Sequence, residues 1–297
     1  MHRTFYGGEA IPVWNPGDGW IHMAGFLGCP IELREETGWS EPILDQGDLT
    51  GYDYHQIVIN PDNQWWMFSE KIHRFAVEAA KGKSIPGIQA LGGCADTLAQ
   101  LRGTYQLLFD LVDCPDYVRE FDQYLMKQWI EVYEKFYSLT REGAAGSTTW
   151  PGTNVWAPGR YYLPMCDFSY MLSTKMFTDI FLPSIEMQVN YLDYSLYHLD
   201  GEAAFAHVDV LLALPKLNGI QVQPGAGKPS VLYYMEVLKK IQRAGKNLQI
   251  FLPPEEVESA LENLSAKGLF ITTSCKTEAE ARDLLKKAEK LSKIRTP

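Results

Sequence analysis

A histidine and an aspartate stand two residues apart near the end of a short apolar segment of this chain. His198 and Asp200 lie in the run Tyr194-Ser-Leu-Tyr-His-Leu-Asp, which Gly201 ends. Side chains two apart on a β-strand point the same way, so the imidazole and the carboxylate would share one face. Such a pair can bind a metal ion, exchange a proton or hold a polar substrate. The alternative is a His–Asp pair that only hydrogen-bonds to loop backbone.

A thiol late in the chain extends this set. Cys275 follows the apolar, β-prone segment 269–273. With His198 and Asp200 it would make a nitrogen, oxygen and sulfur ligand set that suits zinc, although Asp is a less usual zinc ligand than Cys or His. Bound zinc would lower the pKa of a thiol substrate and present the thiolate as a nucleophile. The sequence therefore predicts His198 and Asp200 as catalytic residues, and both with Cys275 as metal ligands.

Further polar residues follow other predicted strands, and these are candidates for binding substrate. Ser173 equally suits a helix N-cap, and Asp96 at a helix start is explained as well by the helix dipole. The loop Pro224–Lys228 is not a Walker A loop, since Val222 and Pro229 occupy the positions that need Gly and Ser or Thr. It could hold an anion at the start of the next helix or simply connect. The predicted substrate-binding residues are Trp150, Asp167, Ser173, Gln221, Gln223 and Lys228.

Composition excludes several classes of protein. The net charge of −10, from 27 basic and 37 acidic residues, argues against nucleic acid and against an anionic membrane surface. The five cysteines are scattered without a CxxC pair, which indicates a reducing compartment and no disulfide framework. No apolar run approaches the roughly 18–20 residues of a membrane span. We therefore predict a cytoplasmic protein.

The order of elements predicts the fold class. Helical periodicity covers about 64–81, 94–111, 115–141, 174–192, 203–213 and 229–244, with short β-prone segments between these stretches and more helices near the end. Alternating strands and helices indicate a parallel sheet, and polar residues past several separate strand ends favour an α/β fold of the (β/α)8 TIM-barrel type over an open sheet. We count about seven strands, so one strand is missed, irregular or absent, and the N-terminal part is the place where we expect the barrel to be incomplete or irregular. Residues 1–63 are predicted as an irregular segment packed on the barrel, 64–297 as the barrel, and the whole as one domain.

Three stretches of the second half carry a resemblance to a known family. They are Asp167 with 172–183, then 197–201, then 214–227, and the matching order of elements covers roughly 85–295. On these motifs the chain resembles the uroporphyrinogen decarboxylase superfamily, which includes the decarboxylase and the methyltransferases that move methyl groups between corrinoid proteins and thiols. The resemblance implies a (β/α)8 barrel with its cleft at the carboxyl ends of the strands, often as a homodimer.

The two branches of that superfamily match unequally. The decarboxylase grips substrate carboxylates with an Arg-rich N-terminal segment, whereas Arg3 is the only arginine in residues 1–30. The methyltransferase branch holds zinc with a His-x-Cys pair and a distant second Cys. Here His198 matches the histidine, Asp200 replaces the first cysteine, and Cys275 lies about where the second falls.

The leading hypothesis is a methyltransferase-like enzyme with zinc or an acidic proton relay and a corrinoid protein or small methyl donor docked at the barrel mouth. A second is a cofactor-free decarboxylase of a polycarboxylated, porphyrinogen-like ring, for which Lys228 and Arg160 are the candidate cations. A third is a non-catalytic homologue that binds a tetrapyrrole or a small acid.

Overall fold

The computed structural model of the chain describes residues 4–16, 23–34, 38–149, 154–228 and 230–296. Its β-strands are short and are distributed along the whole chain. They are β1 Val13–Trp14, β2 Ile31–Leu33, β3 Gly38–Ser40, β4 Ile85–Pro86, β5 Ser147–Thr148, β6 Trp156–Ala157, β7 Tyr161–Tyr162, β8 Tyr194–Asp200, β9 Gly219–Gln223, β10 Asn247–Phe251 and β11 Leu269–Thr272.

Helices separate most of these strands, and several begin with a short 3-10 turn. They are α1 Met23–Phe26, α2 Gln64–Ala80, α3 Cys94–Arg102, α4 Thr104–Asp113, α5 Pro115–Ala144, α6 Thr174–Met176, α7 Leu182–Tyr191, α8 Val208–Leu212, α9 Met235–Arg243, α10 Val257–Asn263 and α11 Glu278–Leu291. No helix among the described residues is long and apolar enough to cross a bilayer.

The main sheet is parallel and follows chain order. Strands β7 to β11 form five neighbours in the order β11-β10-β9-β8-β7. A second parallel pair joins β1 to β4, and a bridge between Ile88 and Thr149 continues it toward β5. Within the described ranges no ladder pair joins β5 to β7 or β11 to β1, so the pairs define an α/β fold with a parallel sheet but no closed barrel.

The two faces of the sheet differ in chemistry. Tyr197 and Ile220 belong to the large apolar core that the helices cover. The opposite face of the same strands carries His198 directly beside Gln221, and Asp200 beside Gln223. Because strand side chains alternate, the apolar contacts on one face leave polar groups on the other, at the carboxyl ends of β8 and β9.

The longest helix, α5, shows why the helical core forms. Proline at its first position suits a helix start, and apolar residues recur at spacings of three and four. Trp129 stacks on Tyr133 at 5.2 Å between ring centroids and meets Tyr162 of β7 edge-on at 4.8 Å. The aromatic contacts therefore tie this helix to the strand that leads into the site.

Two helical stretches differ from the sequence expectation. The stretch 94–111 is two helices, α3 and α4, because Gly103 adopts φ of 91° and ends the first one. The stretch 174–192 holds a π-turn over Phe177–Phe181 between α6 and α7. Pro183 lacks an N–H and its ring clashes with the carbonyl four residues earlier, which disfavours regular α-helical bonding there.

One strand of the parallel sheet was missed by the sequence analysis, namely β7. It has only two residues and lies in a proline-rich and glycine-rich stretch, so its apolar pattern is too short to be recognised. At the other end of the chain, Thr277 and Glu280 form a capping box at the start of α11, one of the helices that the sequence predicts near the end of the chain.

Candidate active site

Two cavities open at the carboxyl ends of β7, β8 and β9 and meet at one carboxylate. The first has a volume of about 310 Å³ and is lined by Asp96, Met165, Asp167 and Phe168 among others. The second has a volume of about 330 Å³ and is lined by Asp167, Asp200 and the loop after β9. Asp167 borders both, so the two cavities form the concave mouth in which we place the candidate active site.

Asp96, in the first turn of α3, positions Asp167. Its carboxylate accepts a hydrogen bond from the backbone N–H of Phe168 at 2.8 Å. The backbone of Asp167 and that of Gly93 also hydrogen-bond this carboxylate and lower its pKa. The Asp96 carboxylate thus holds the start of the turn Asp167–Met171, and this contact places two carboxylates side by side.

The glycine before α3 makes this close approach possible. A Cβ at Gly93 would lie 2.2 Å from the carbonyl oxygen of Met165 and 2.8 Å from Oδ2 of Asp96. Tyr162 fixes the preceding segment, since its hydroxyl accepts a hydrogen bond from the N–H of Leu91 at 2.6 Å. Any residue larger than glycine at position 93 would therefore separate α3 from the segment that carries Asp167.

Burial and like charges change the titration of the two carboxylates. Burial first, and then the nearby charge of Asp167, raises the pKa of Asp96 to about 7. Asp167 is open to solvent but lies in a concave wall, where desolvation and the charge of Asp200 raise its pKa to about 6. Both groups can therefore accept or release a proton near neutral pH.

His198 lies beneath this pair on the polar face of the sheet. Its side chain is buried, and Nδ1 is hydrogen-bonded to Oε1 of Gln221 on the neighbouring strand. Burial lowers the pKa of His198, against the opposing effects of Gln221, Asp200 and Asp96, so the imidazole is neutral. The charges of Asp96 and Asp200 thus act on the same imidazole, which places His198 within the electrostatic surroundings of the mouth.

Glycines shape the second cavity. Gly201, directly after Asp200, has φ of +86°, and a Cβ there would lie 2.8 Å from the ring of Tyr170. At the mouth, Lys228 Nζ lies 3.1 Å from Oε2 of Glu202, which also accepts a hydrogen bond from the hydroxyl of Tyr234. Lys228, which the sequence predicts to bind substrate, lines this cavity, and its charge is paired with Glu202.

The other predicted residues lie in different surroundings. Ser173 accepts a hydrogen bond from the N–H of Met176 at 3.2 Å, as the N-cap of α6. Cys275 borders a separate cavity of about 550 Å³ with Glu255 and Glu280. Arg160 pairs with Glu134 just before the amino end of β7, opposite to the mouth. Trp150 lies outside the described residues.

The predicted ligand set does not form a metal site in the structure. His198 and Asp200 share a face of β8, whereas Cys275 borders a cavity that neither of them lines. The part of the chain that is described contains no group of three or more His, Cys, Asp or Glu side chains that could hold a metal ion. The described residues therefore do not bring the three predicted ligands together, and no step below depends on zinc.

From the sequence, Asp96 was explained equally well by the helix dipole and by a functional role, and it was left out of the predicted site. Its signal was the preceding Gly92-Gly93 pair, which allows close approach of backbone and carboxylate. Glu202, the partner of Lys228, was missed as well, because only the folded loops bring these two residues together.

Comparison with known proteins gives a fold match without sequence similarity. No protein-family model matches the chain. No curated protein matches it either. Among solved structures, a methyltransferase from Methanosarcina mazei superposes with a TM-score of 0.65 at 8% identity, over 94% of this chain and 80% of that one. At this identity the likeness shows that the two proteins share a fold.

Proposed function

We propose that this chain is a methyltransferase-like enzyme that works at the mouth between the two cavities. The observation that carries the proposal is the cluster of three carboxylates, Asp96, Asp167 and Asp200, that lines the two cavities beyond the carboxyl ends of β7 and β8, with His198 on the polar face of β8. In α/β folds of this kind, ligands bind at that edge of the sheet. The fold shared with a methyltransferase adds support by analogy only.

The carboxylates would handle the proton that methyl transfer releases. A lone pair of the acceptor, a thiol or an amine, attacks the methyl carbon, and the bond from methyl to the donor breaks with its electron pair leaving on the donor. The proton of the acceptor then passes to Asp167 or Asp96, whose pKa values of about 6 and about 7 suit proton acceptance near neutral pH. His198 stays neutral and supports the mouth through Gln221.

The charge of the mouth favours a neutral or cationic substrate. Four acidic residues border the two cavities, and Lys228 is the one basic residue among the lining residues, already paired with Glu202. A substrate with several carboxylates would meet like charges here. The decarboxylase alternative needed cations at the mouth, and Arg160 lies at the other end of the sheet.

The methyl donor, the closure of the barrel, bound zinc and the oligomeric state are further parts of this proposal. The methyl donor is a methylated corrinoid, free or carried by a partner protein, or a small methylated compound. We propose that β1, β4, β5 and β7 to β11 follow the order of a (β/α)8 barrel, although the ladder pairs of the described residues do not close it; this order would bring Asp96 and Asp200 to one rim. Zinc held by His198, Asp200 and Cys275 and a homodimeric assembly stay predictions.

The test is product formation with an isotope-labelled methyl group. The purified chain is incubated with methyl-labelled methylcobalamin or a small labelled donor and a panel of thiols and amines, and methylated products are measured by mass spectrometry. We expect turnover that falls about 10²-fold in Asp96→Asn and Asp167→Asn, since a positioned proton acceptor contributes about that much.

The matched control is Asp209→Asn, which makes the same chemical change at an exposed residue paired with Lys240. This variant should keep wild-type turnover. Release of carbon dioxide from uroporphyrinogen would instead support the decarboxylase. Tight binding of a tetrapyrrole, with no methylated product from any donor, would support the non-catalytic homologue.

A further inference from the structure

A small closed chamber lies directly behind the wall of the active site. It has a volume of about 10 Å³, which is about the space that one water molecule needs. Met165 lines both this chamber and the first active-site cavity. The polar residues that line the chamber are Asp122 of α5 and Ser184 and Gln188 of α7.

These polar side chains are fully buried and lack hydrogen bonds. Asp122, Ser184 and Gln188 are each at most 1% exposed. Both carboxylate oxygens, the hydroxyl and both atoms of the amide make no hydrogen bond of regular geometry within the described ranges, although the Ser184 hydroxyl lies near enough to Asp122 to affect its pKa. Burying one such group unpaired costs about 1–3 kcal/mol, so several around one small space indicate a missing partner.

We infer that the chamber binds one water molecule, which links Asp122 as a neutral carboxylic acid to Ser184 and Gln188. The acid hydroxyl donates to the water, and the water donates to the Ser184 hydroxyl and to the Gln188 carbonyl oxygen. The Gln188 amide donates to the carbonyl oxygen of Asp122. Each polar group then gains a partner, and no charge is buried.

The neighbours of the chamber suit an uncharged acid. The titratable groups that face Asp122 are Cys94 and Asp96 from α3 and Cys166 from the segment after β7, and none of them is a cation. Burial is the main cause that raises the pKa of Asp122 to about 8, and Asp96 adds to it while Ser184 opposes it. A neutral Asp122 also adds no further negative charge near the Asp96 carboxylate.

The direct test is infrared spectroscopy of the protein at pH 7. Carbonyl absorption of buried protonated carboxylic acids should be present in the wild type, persist in Asp209→Asn and lose the Asp122 component in Asp122→Asn, while any component from Asp96 remains. The Asp122 component should shift in Ser184→Ala, which removes one partner of the water. An unchanged spectrum in Asp122→Asn would overturn the inference.

A second measurement separates water from a bound cation and does not depend on any enzyme activity. Between pH 6.5 and 8 the unfolding equilibrium constant of the wild type should rise, by up to about tenfold per pH unit for each proton that only the folded state retains. The unfolding equilibrium constant of Asp122→Asn should rise less steeply over the same pH interval. Stabilisation of the wild type, but not of Asp122→Asn, by NaCl or KCl over choline chloride would instead show an ionised Asp122 with a bound cation and overturn the proposal.

Discussion

Three aspartates show how the local surroundings decide the charge of one side-chain type. Asp209 is exposed and pairs with Lys240 at the surface. Asp110 is buried and pairs with Arg102 at 2.7 Å, so both charges are retained inside the protein. Asp122 is buried with no cation beside it among the described residues, and its pKa rises instead. The same residue type thus serves as a surface ion, as a structural ion pair and as a neutral acid.

The buried ion pair predicts a large loss of stability on substitution. Asp110→Asn would leave the Arg102 guanidinium buried, although Arg102 also donates hydrogen bonds to the carbonyl oxygens of Leu44 and Gly47. We expect the free energy of unfolding in urea to fall by about 3–5 kcal/mol. Asp209→Asn, which breaks an exposed pair, should stay within about 0.5 kcal/mol of the wild type. Equal effects of the two substitutions would show that burial does not set the strength of these pairs.

Glycine 93 makes a second prediction at this scale. Gly93→Ala would place a Cβ 2.2 Å from the Met165 carbonyl oxygen, so α3 must shift and the Asp96–Phe168 hydrogen bond weakens. We expect a loss of about 1–3 kcal/mol in stability and a lower pKa of Asp96, measured by carbon-13 NMR, as the carboxylate becomes more solvated.

Gly51→Ala is the control for this substitution. A Cβ at Gly51 would meet no atom within 4 Å among the described residues. It should therefore leave both the stability and the pKa of Asp96 as they are. A Gly93→Ala protein with an unchanged Asp96 titration would contradict the role given to this glycine.

At the scale of elements, the sequence predicted the helix starts better than the breaks within helices. Pro115 at the start of α5 and Thr277 before α11 are local signals, because each acts on backbone groups only a few residues away. The break at Gly103 and the π-turn before Pro183 were not predicted, since the apolar periodicity continues across both. Apolar periodicity indicates which face of a helix is buried. It does not reveal a break at one residue or one extra residue in a helical turn.

The last helix allows a test of such a local signal. None of the residues of α11 is buried, and Thr277 and Glu280 satisfy each other's backbone N–H groups at its start. Thr277→Ala should cost about 1 kcal/mol, seen as faster amide hydrogen exchange in α11 with little change in α5. Ser274→Ala, at an exposed position three residues earlier, is the control and should leave exchange in α11 unchanged.

At the scale of the whole molecule, buried acids and buried histidines set opposite pH dependences. Asp96 and Asp122 have pKa values raised to about 7 and about 8, so the folded state retains protons that the unfolded chain has lost above pH 4. Their contribution to stability falls as the pH rises toward those values. His73, with a pKa lowered to about 4, acts in the opposite sense, and its effect is complete above about pH 6.5.

The free energy of unfolding should therefore fall between about pH 6.5 and pH 8, where only the acids still titrate. Urea denaturation at these two pH values at fixed ionic strength measures it. Below pH 6.5 the buried acids and His73 change the stability in opposite directions, so the free energy of unfolding should depend less on pH. A stability that is constant or rises over the upper interval would contradict the raised pKa values of the buried acids.

The sequence by itself determined the alternation of strands and helices, the pairing of His198 and Asp200 on one strand face, and the caps, because all of these depend on neighbours within a few residues. Only the tertiary structure decided which polar groups meet. It placed Asp96 beside Asp167, placed Cys275 at a different cavity, and left Asp122 buried with no cation from the described part of the chain beside it. The reason is physical: burial and the approach of distant charges are properties of the packed chain, and no spacing in the sequence encodes them.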